Sequence, residues 1–414
     1  MKGEILSVGT ELLLGDILNT NAQTLARKLA ALGVDVYYQT VVGDNAERLH
    51  DFYGTAFERS DLVVVTGGLG PTEDDLTKET GAKFFNKEMI LHEDIARELE
   101  EYFKNSGLPY TQNNLKQAYF PEGSVILPND NGTAPGCLIE ENGKILVMMP
   151  GPPNEMIPML ENHVAPYLKK KNGSVLVSRT LRLCGIGESY LETQIKDLME
   201  GSNPTLAPYA KTGEVHLRLT AKAENREDAE ALLTPVVEDL YGRFSSKIYG
   251  EGEDTLEKVV TQLLISKKLT LAVAESLTGG ELTSRLVDVP GISKALLEGI
   301  VAYSNQAKLD RLGVSQETLE AYGAVSAQTA TEMARGAAAG AGADIGISTT
   351  GIAGPGGGTD KKPVGLTYIG VYMNGKTMAR EFHFKGNRLK IRERAVVTAL
   401  NLLRNIIKRE GIVS

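Results

Sequence analysis

Two cysteines, five histidines and no tryptophan in 414 residues set the first limits on this chain. Cys137 and Cys184 stand far apart and form no CxxC pair, so they read as small buried side chains. His50, His92, His163, His216 and His383 show neither HxxxH nor HExxH spacing, which leaves a zinc site without sequence support. There is no long run of lysine or arginine, and the formal net charge is -9. A protein that coats nucleic acid needs a basic face for counterion release, so direct nucleic-acid binding is not expected. No apolar run approaches the ~20 residues of a membrane helix. The N-terminus runs straight from Met1 into a strand-like segment with no room for a signal peptide. A cytoplasmic protein with no membrane partner is the expectation. Neither GxxxxGK[ST] nor GxGxxG occurs in the glycine-rich loops described below, so neither a P-loop ATPase nor a dinucleotide fold is signalled.

What is present is ordinary globular composition, 42% hydrophobic and 23% charged, at a length that favours two or three domains. The first ~170 residues alternate apolar runs with helix-patterned segments, as an α/β domain does. Strands are expected at Gly3 to Val8, Val34 to Val41, Asp61 to Val65 and Lys144 to Met149, with helices at Asn21 to Leu32 and Ala46 to Arg59. Around residues 168 to 175 a lysine-rich stretch ending Asn172-Gly173-Ser174 reads as a linker. A small α+β unit follows, with two strands (Ser174 to Cys184, Glu214 to Ala223) and two helices (Ser189 to Met199, Arg226 to Leu240). A third α/β region begins at Thr255. In it, Leu269 to Ala274 and Ala343 to Ser348 read as strands, Gly365 to Phe384 as a hairpin about Asn374-Gly375, and Leu389 to Arg409 as a last helix.

Two hydroxyl-rich loops in the third region follow predicted strands, the usual place for a ligand in an α/β fold. In Glu275-Ser276-Leu277-Thr278-Gly279-Gly280-Glu281, Thr278 and Glu281 fit a helix capping box, while Ser276 has no ready structural role. In Ser348-Thr349-Thr350-Gly351-Ile352-Ala353-Gly354-Pro355-Gly356-Gly357-Gly358 the glycines permit close backbone approach and an anion nest, or simply a flexible surface loop. Between them lie Ser293 and Tyr303-Ser304-Asn305-Gln306-Ala307-Lys308. A serine attacks an amide when a neighbouring base takes its proton, and a desolvated lysine can serve because burial lowers its pKa. Spacing alone does not show that such residues meet.

The first region has three such junctions: Gly9-Thr10-Glu11 through Gly15-Asp16, with Asn19 and Asn21 beyond; Thr66-Gly67-Gly68-Leu69-Gly70-Pro71-Thr72-Glu73-Asp74-Asp75; and Pro150-Gly151-Pro152-Pro153-Asn154-Glu155. Their glycines can offer N–H groups to phosphate, and Glu11, Asp16, Asp74 or Asp75 could hold Mg²⁺ through oxygen. The alternative is a helix capped by Thr72 with Glu73 in its first turn.

The series AESLTGG, PGIS, YSNQAK, GAVS, STTGIAGPGGG and GNRLKIR resembles the CinA C-terminal domain, the nicotinamide-nucleotide amidase family, from Thr255 to the end. That resemblance implies metal-free hydrolysis of nicotinamide mononucleotide (NMN) to nicotinate mononucleotide and ammonia. It implies Ser293 as nucleophile with Ser276 competing, Lys308 as base and Tyr303 as its orienting or relay partner. Ser276, Thr278, Gly279, Thr350 and Gly351 would hold the substrate or supply oxyanion donors, and Arg388 or Arg392 would pair with the phosphate. Residues 1 to 170, above all TGGLGPTEDDLT and NDNGTAPG (Asn129 to Gly136), resemble the molybdopterin-binding fold as it occurs in CinA proteins. There the domain is associated with hydrolysis of ADP-ribose to AMP and ribose 5-phosphate. Gly9, Asn21, Gly67, Gly68, Gly151 and Pro152 would contact that substrate, with a divalent metal on Glu11, Asp16, Asp74 and Asp75. Residues 174 to 250 resemble the KH-like module of the same family, although Gly185-Ile186-Gly187-Glu188 lacks the basic GXXG form of an RNA clamp, so a spacer or dimer-building role is expected. The expected fold is therefore α/β in three domains (1–170, 174–250, 255–414). The resemblance also implies a homodimer and, from the family name, a recombinase partner; a molybdenum-cofactor role would fit the first domain alone.

Overall fold

The computed structural model describes residues 1–107 and 109–410. The chain divides into two compact units, one of Met1–Ser178 with Ala221–Leu232, the other of Arg179–Thr220 with the described chain from Leu233 on.

In the first unit the strands are β1 (Lys2–Val8), β2 (Asp35–Val42), β3 (Leu62–Thr66), β4 (Val125–Leu127), β5 (Gly136–Glu141) and β6 (Lys144–Met149). They form one sheet in the order β2-β1-β3-β6-β5-β4. The β1–β2, β1–β3 and β3–β6 pairs are parallel, while β5 runs antiparallel to both β6 and β4. Every residue of β3 is buried, as expected for a strand with helices on both faces. Successive residues enter opposite cores: Ile5 packs with Leu25, Val64 and Val147, and Leu6 with Tyr53, Val63 and Met148. Helix α1 (Thr20–Ala31) starts on Asn19, whose side chain accepts from the Ala22 N–H, and stops before Gly33 at φ 76°. Helices α2 (Ala46–Arg59), α3 (Thr77–Phe84) and α4 (Pro153–Met159) complete the parts that matter for the site. The lysine-rich stretch expected to be a linker is helical as far as Lys171, and only Asn172 to Ser174 are irregular before the next strand.

From residue 175 the chain forms a sheet of four strands where two were expected: β7 (Val175–Cys184), β8 (Thr205–Lys211), β9 (Glu214–Ala223) and β10 (Ile248–Glu251), ordered β8-β9-β7-β10. Thr205 to Lys211 shows no clean alternation, with Pro208 at its centre and only Leu206 buried. Helices α5 (Glu188–Met199) and α6 (Arg226–Phe244) match the expected pattern. The rest of the chain adds α7 (Leu256–Ser266), β11 (Leu271–Glu275), α8 (Glu281–Val287), β12 (Leu296–Val301), α9 (Asn305–Leu312), α10 (Gln316–Tyr322), α11 (Ala327–Ala341), β13 (Ile345–Gly351), β14 (Leu366–Met373), β15 (Lys376–His383) and α12 (Arg388–Lys408). Its sheet has the order β12-β11-β13-β14-β15, parallel as far as β13 and antiparallel beyond. Cys184 and Tyr249 pack with Val397 and Leu400, and buried Arg404 donates to the Ile248 and Ser246 carbonyls at 3.2 and 2.9 Å.

Helix α11 lies unusually close to what it packs on. A Cβ on Gly336 would stand 1.8 Å from the Leu312 carbonyl oxygen, one on Gly346 1.9 Å from that of Ala334, and one on Gly370 2.1 Å from that of Ala330. The Ser348 hydroxyl closes the same seam by donating to the Ala330 carbonyl at 2.5 Å. In both units the central parallel strand sends the chain to opposite sides, β1 toward β2 and β3, β11 toward β12 and β13. Such switch points leave a crevice at the carboxyl ends of the strands. No described helix is long and apolar enough to cross a membrane.

Candidate functional site

The crevice of the second unit is built on the end of β11. The Ser276 N–H donates to the Thr349 carbonyl at 2.9 Å, and the Ala302 N–H to the Glu275 carbonyl at 2.9 Å, so the loop is pinned to the strands on both sides. Glu275 is fully buried. Its carboxylate accepts from the N–H groups of Gly280, Leu282 and Thr283 at 2.9, 3.0 and 2.8 Å and from the Thr283 hydroxyl at 2.6 Å. This acid therefore satisfies the start of α8, and the capping box expected of Thr278 and Glu281 does not form. The Thr278 hydroxyl instead meets that of Thr349 at 2.6 Å. The N–H groups of Leu277, Thr278 and Gly279 have no hydrogen-bond partner among the described residues.

Lys308, in the first turn of α9, is 1% exposed and has no carboxylate beside it among the described residues. Its Nζ donates to the carbonyls of Ala302 and Tyr303 at 2.8 and 3.1 Å and to Ser276 Oγ at 3.1 Å. Burial lowers its pKa to about 8. With two carbonyls taking two of its hydrogens, the neutral amine has its lone pair free for the Ser276 hydroxyl. A hydroxyl in contact with an amine of lowered pKa is the arrangement that a nucleophile and its general base require.

Ser293 does not join them. It lies in a turn that precedes β12, while Ser276 follows β11, and these strands run parallel with Leu271 opposite Leu296 and Glu275 opposite Val301. The length of the strand pair, roughly 16 Å, separates the two serines within one chain. The expected pairing of Ser293 with Lys308 is thus corrected in favour of Ser276. Tyr303 is also reassigned: its carbonyl faces Lys308, but its ring is 64% exposed and its hydroxyl accepts from Arg388 at 3.2 Å.

The two arginines divide clearly. Arg392 donates to the Thr278 carbonyl at 2.7 Å and pairs with Glu281 at 3.2 Å, so it holds the loop. Arg388 is exposed at the first position of α12, donates to the Gly354 carbonyl at 2.8 Å, and stands where a helix N-terminus favours an anion. Thr350 is fully buried with its hydroxyl donating to the Ala324 carbonyl at 2.7 Å, which ties the strand to the segment before α11 and commits the hydroxyl's proton there. A Cβ on Gly351 would stand 2.6 Å from the Leu366 carbonyl oxygen, so close strand packing explains that glycine. Gly279, at φ 62°, permits the turn into α8.

In the first unit the crevice is a cleft at the ends of β1 and β3. One cavity of about 310 Å³ is lined by Leu12, Ile17, Leu18 and Asn21; a second, of about 390 Å³, by the Gly67 to Gly70 loop, Asp74 and Asp75. Val8, Glu11, Gly151 and Pro152 line both, and Gly9 lines the second. Asn21 spans the cleft floor, donating to Thr66 Oγ1 at 3.0 Å and to the Gly151 carbonyl at 2.6 Å. Gly67 and Gly68 have φ of 106° and 69°, and side chains there would collide with the Val8 carbonyl and the Thr77 hydroxyl. The N–H groups of Gly68, Leu69 and Gly70 have no hydrogen-bond partner among the described residues, which suits phosphate.

The expected metal set is only partly gathered. Asp16 is exposed and lines neither cavity, while Glu11, Asp74 and Asp75 do line the second. Among the described residues no three acids or imidazoles cluster closely enough to hold a metal ion alone. Thr72 caps no helix: α3 starts at Thr77, and the Thr72 N–H and hydroxyl both donate to Asp75 at 3.0 and 2.5 Å. Sequence reasoning missed Glu275, although a glutamate ending a strand five residues before free helical N–H groups was a signal. It also missed Lys78, 3% exposed, whose pKa burial lowers to about 8 and whose Nζ donates to the Gln117 carbonyl at 2.9 Å.

Three family profiles match the chain in order. They are described as a Probable molybdopterin binding domain over residues 4–170, a Damage-inducible protein CinA KH domain over 178–250, and the CinA C-terminal domain over 253–407. A competence-damage inducible protein of Clostridium tetani is 56% identical across 98% of this chain and 99% of its own. A CinA-like protein of Kosmotoga olearia is 55% identical across 98% and 99%. The crystal structure of a competence-damaged protein (CinA) superfamily protein from Escherichia coli, 40% identical, covers 36% of this chain and 87% of that one, with a TM-score of 0.35. The full-length matches settle the family: this chain belongs to the CinA, or competence-damage inducible, proteins, in the form that joins a molybdopterin-binding-like domain, a CinA KH domain and a CinA C-terminal domain.

Proposed function

We propose that the chain is a two-site hydrolase of pyridine-nucleotide recycling. Its C-terminal site would hydrolyse the amide of NMN to nicotinate mononucleotide and ammonia, and its N-terminal site ADP-ribose to AMP and ribose 5-phosphate. The observation that carries the reading is the contact of a buried, carboxylate-free Lys308 with Ser276 Oγ at 3.1 Å. Ser276 Oγ attacks the amide carbon as its proton passes to Lys308. The oxyanion is received by the unpartnered N–H groups of the Leu277 to Gly279 loop. Lys308 returns the proton to the departing nitrogen, ammonia leaves, and an ester remains on Ser276. Water then adds to the ester with Lys308 again as base, releasing nicotinate mononucleotide and the serine. Arg388 at the start of α12 faces the phosphate, and Arg392 holds the loop. No metal takes part at this site.

At the N-terminal site, Glu11, Asp74 and Asp75 line one cavity without clustering closely enough to hold an ion by themselves, and they would hold Mg²⁺ only together with the substrate's phosphates. Bound there, the ion would offset the charge of the diphosphate. The chain's own part is to hold the phosphates on the Gly68 to Gly70 N–H groups.

The amidase reading is tested by ammonia release from NMN with chelator present. Ser276→Ala and Lys308→Met should each lower kcat on the order of 10³-fold or more, while Ser293→Ala retains turnover. Loss of activity in Ser293→Ala with an active Ser276→Ala would overturn the assignment. A second reading, a competence-associated interaction protein, is favoured by the names of the relatives. It predicts recombinase capture in a pull-down together with no release of ammonia by the wild-type chain.

A further inference from the structure

In the first unit, the loop that carries Asp74 and Asp75 has open space on two sides. Pro71, Thr72, Asp74 and Asp75 line the cleft cavity of about 390 Å³, while Pro71, Thr72 and Glu73 line a separate cavity of about 560 Å³. None of residues 71–75 is buried, so packing does little to fix them. Asp75 accepts from the Thr72 N–H and hydroxyl, which curls the turn but fastens it to nothing else. Among the described residues, the hydrogen bonds that tie 71–75 to another element are those of Lys116. Its Nζ donates to the Thr72 carbonyl at 2.9 Å and to the Asp75 carbonyl at 2.5 Å, and pairs with Glu79 at 3.5 Å. The base from which Lys116 reaches is itself pinned. Lys116 lies in a 3₁₀ helix, Gln112–Ala118, and Lys78 in the first turn of α3 donates back to the Gln117 carbonyl at 2.9 Å, its Nζ 4.2 Å from the centre of the Phe120 ring.

We propose that Lys116 is a positioning residue of the first site, holding the turn from Thr72 to Asp75 so that Asp74 and Asp75 meet a divalent cation brought in by a diphosphate substrate. The inference rests on the ADP-ribose reading above. A cation shared between protein and phosphates binds best to carboxylates placed before it arrives, and the groups that orient such ligands carry part of its affinity. Lys116 acts through main-chain carbonyls, while its charge works in the opposite sense. After the Thr72 hydroxyl and Asp74's own N–H, the charge of Lys116 helps to hold the Asp74 carboxyl below the ordinary aspartate range. A positive charge beside the acids weakens their hold on a cation. Losing the charge alone would therefore tighten metal binding, and losing the clamp would loosen it. The sign of the change separates the two.

The test is Lys116→Met, similar in length but without donors, beside Lys116→Arg, which keeps both charge and donors. Mn²⁺ binding is followed by electron paramagnetic resonance in the presence of the methylene analogue of ADP-ribose, whose P–CH₂–P link resists hydrolysis. The expected affinity for Mn²⁺ is about 10-fold weaker in Lys116→Met and within about 2-fold of wild type in Lys116→Arg. In ADP-ribose turnover by Lys116→Met, half-saturating Mg²⁺ should rise about 10-fold, with kcat at saturating Mg²⁺ within about 3-fold of wild type. Unchanged or tighter Mn²⁺ binding in Lys116→Met overturns the proposal. So does a fall in kcat that saturating Mg²⁺ does not restore, or a Lys116→Arg variant that behaves like Lys116→Met. Should Lys116→Met fold poorly, Lys116→Gln, neutral and too short to span both carbonyls, carries the same expectations. If the wild type binds Mn²⁺ with the analogue yet leaves ADP-ribose intact, the parent reading fails and the Mn²⁺ comparison still decides the role of Lys116. A wild type that binds no Mn²⁺ with the analogue overturns both.

Discussion

At the scale of single residues, the chemistry proposed for the C-terminal site turns on one amine. Burial holds Lys308 at about 8, below the ordinary lysine value, so about a tenth of it is neutral at pH 7. On the proposed mechanism the base must be neutral, so kcat for NMN is expected to rise about tenfold per pH unit below this value and level off above it. A pH–rate profile that is flat from 6 to 9 would remove Lys308 from the base's role. The sign for stability runs the same way. Between pH 8 and about 10.4 the unfolded chain binds a proton that the folded chain does not, so stability rises with pH across that window. Lys78, lowered to the same value, adds a rise of its own, so thermal melts of Lys308→Met should show a smaller rise than wild type.

Residues were also where sequence reasoning stopped. Ser276, Lys308, Arg388 and the glycine loops were legible as motifs, because strand-to-loop junctions in α/β folds carry chemistry. The choice between Ser276 and Ser293 was not, because both lie close to Lys308 in sequence and only the strand register separates them. Thr278 fitted a capping box by type and spacing, yet Glu275 reached the same N–H groups first. A carboxylate outbids a hydroxyl for backbone donors, and local spacing cannot show that its side chain turns back.

At the scale of elements, the loop from Ser276 to Gly280 is shaped by Glu275 more than by its own residues. Glu275→Ala would strand three backbone N–H groups and a hydroxyl in a buried place, at a cost of about 3 kcal/mol. We expect a lower melting temperature and loss of NMN hydrolysis, with ADP-ribose hydrolysis retained. A variant with full amidase activity would show that the loop holds its form without the acid. Strands and helices with clean periodicity, such as β1, β3 and α2, were readable from the sequence within a residue or two. Asn374-Gly375 marked its hairpin correctly, both residues having positive φ in the turn between β14 and β15. Short strands such as β8 were not readable, since their pattern is weak and their pairing is set from a distance.

At the scale of the whole molecule, each unit has its own core and its own crevice at a switch point. The two proposed activities should therefore be separable by single substitutions. Asp75→Ala is expected to abolish metal-dependent AMP formation from ADP-ribose while NMN hydrolysis stays within about twofold, and Ser276→Ala to do the reverse. Joint loss in either variant would argue against two independent sites. The order of three modules was legible from motif series, but the joining of the KH-like sheet to the C-terminal sheet through Arg404 was not. A buried arginine bonded to carbonyls leaves no trace in spacing or composition. The contact seam beneath α11 has a consequence for inheritance. Gly336, Gly346 and Gly370 touch no proposed substrate, yet a side chain at Gly346 or Gly370 would push α11 off the sheet that carries Ser348, Thr349 and Thr350, and one at Gly336 would push it off the end of α9. Such positions act as a sieve on variation, rejecting substitutions far from the chemistry as strictly as those within it.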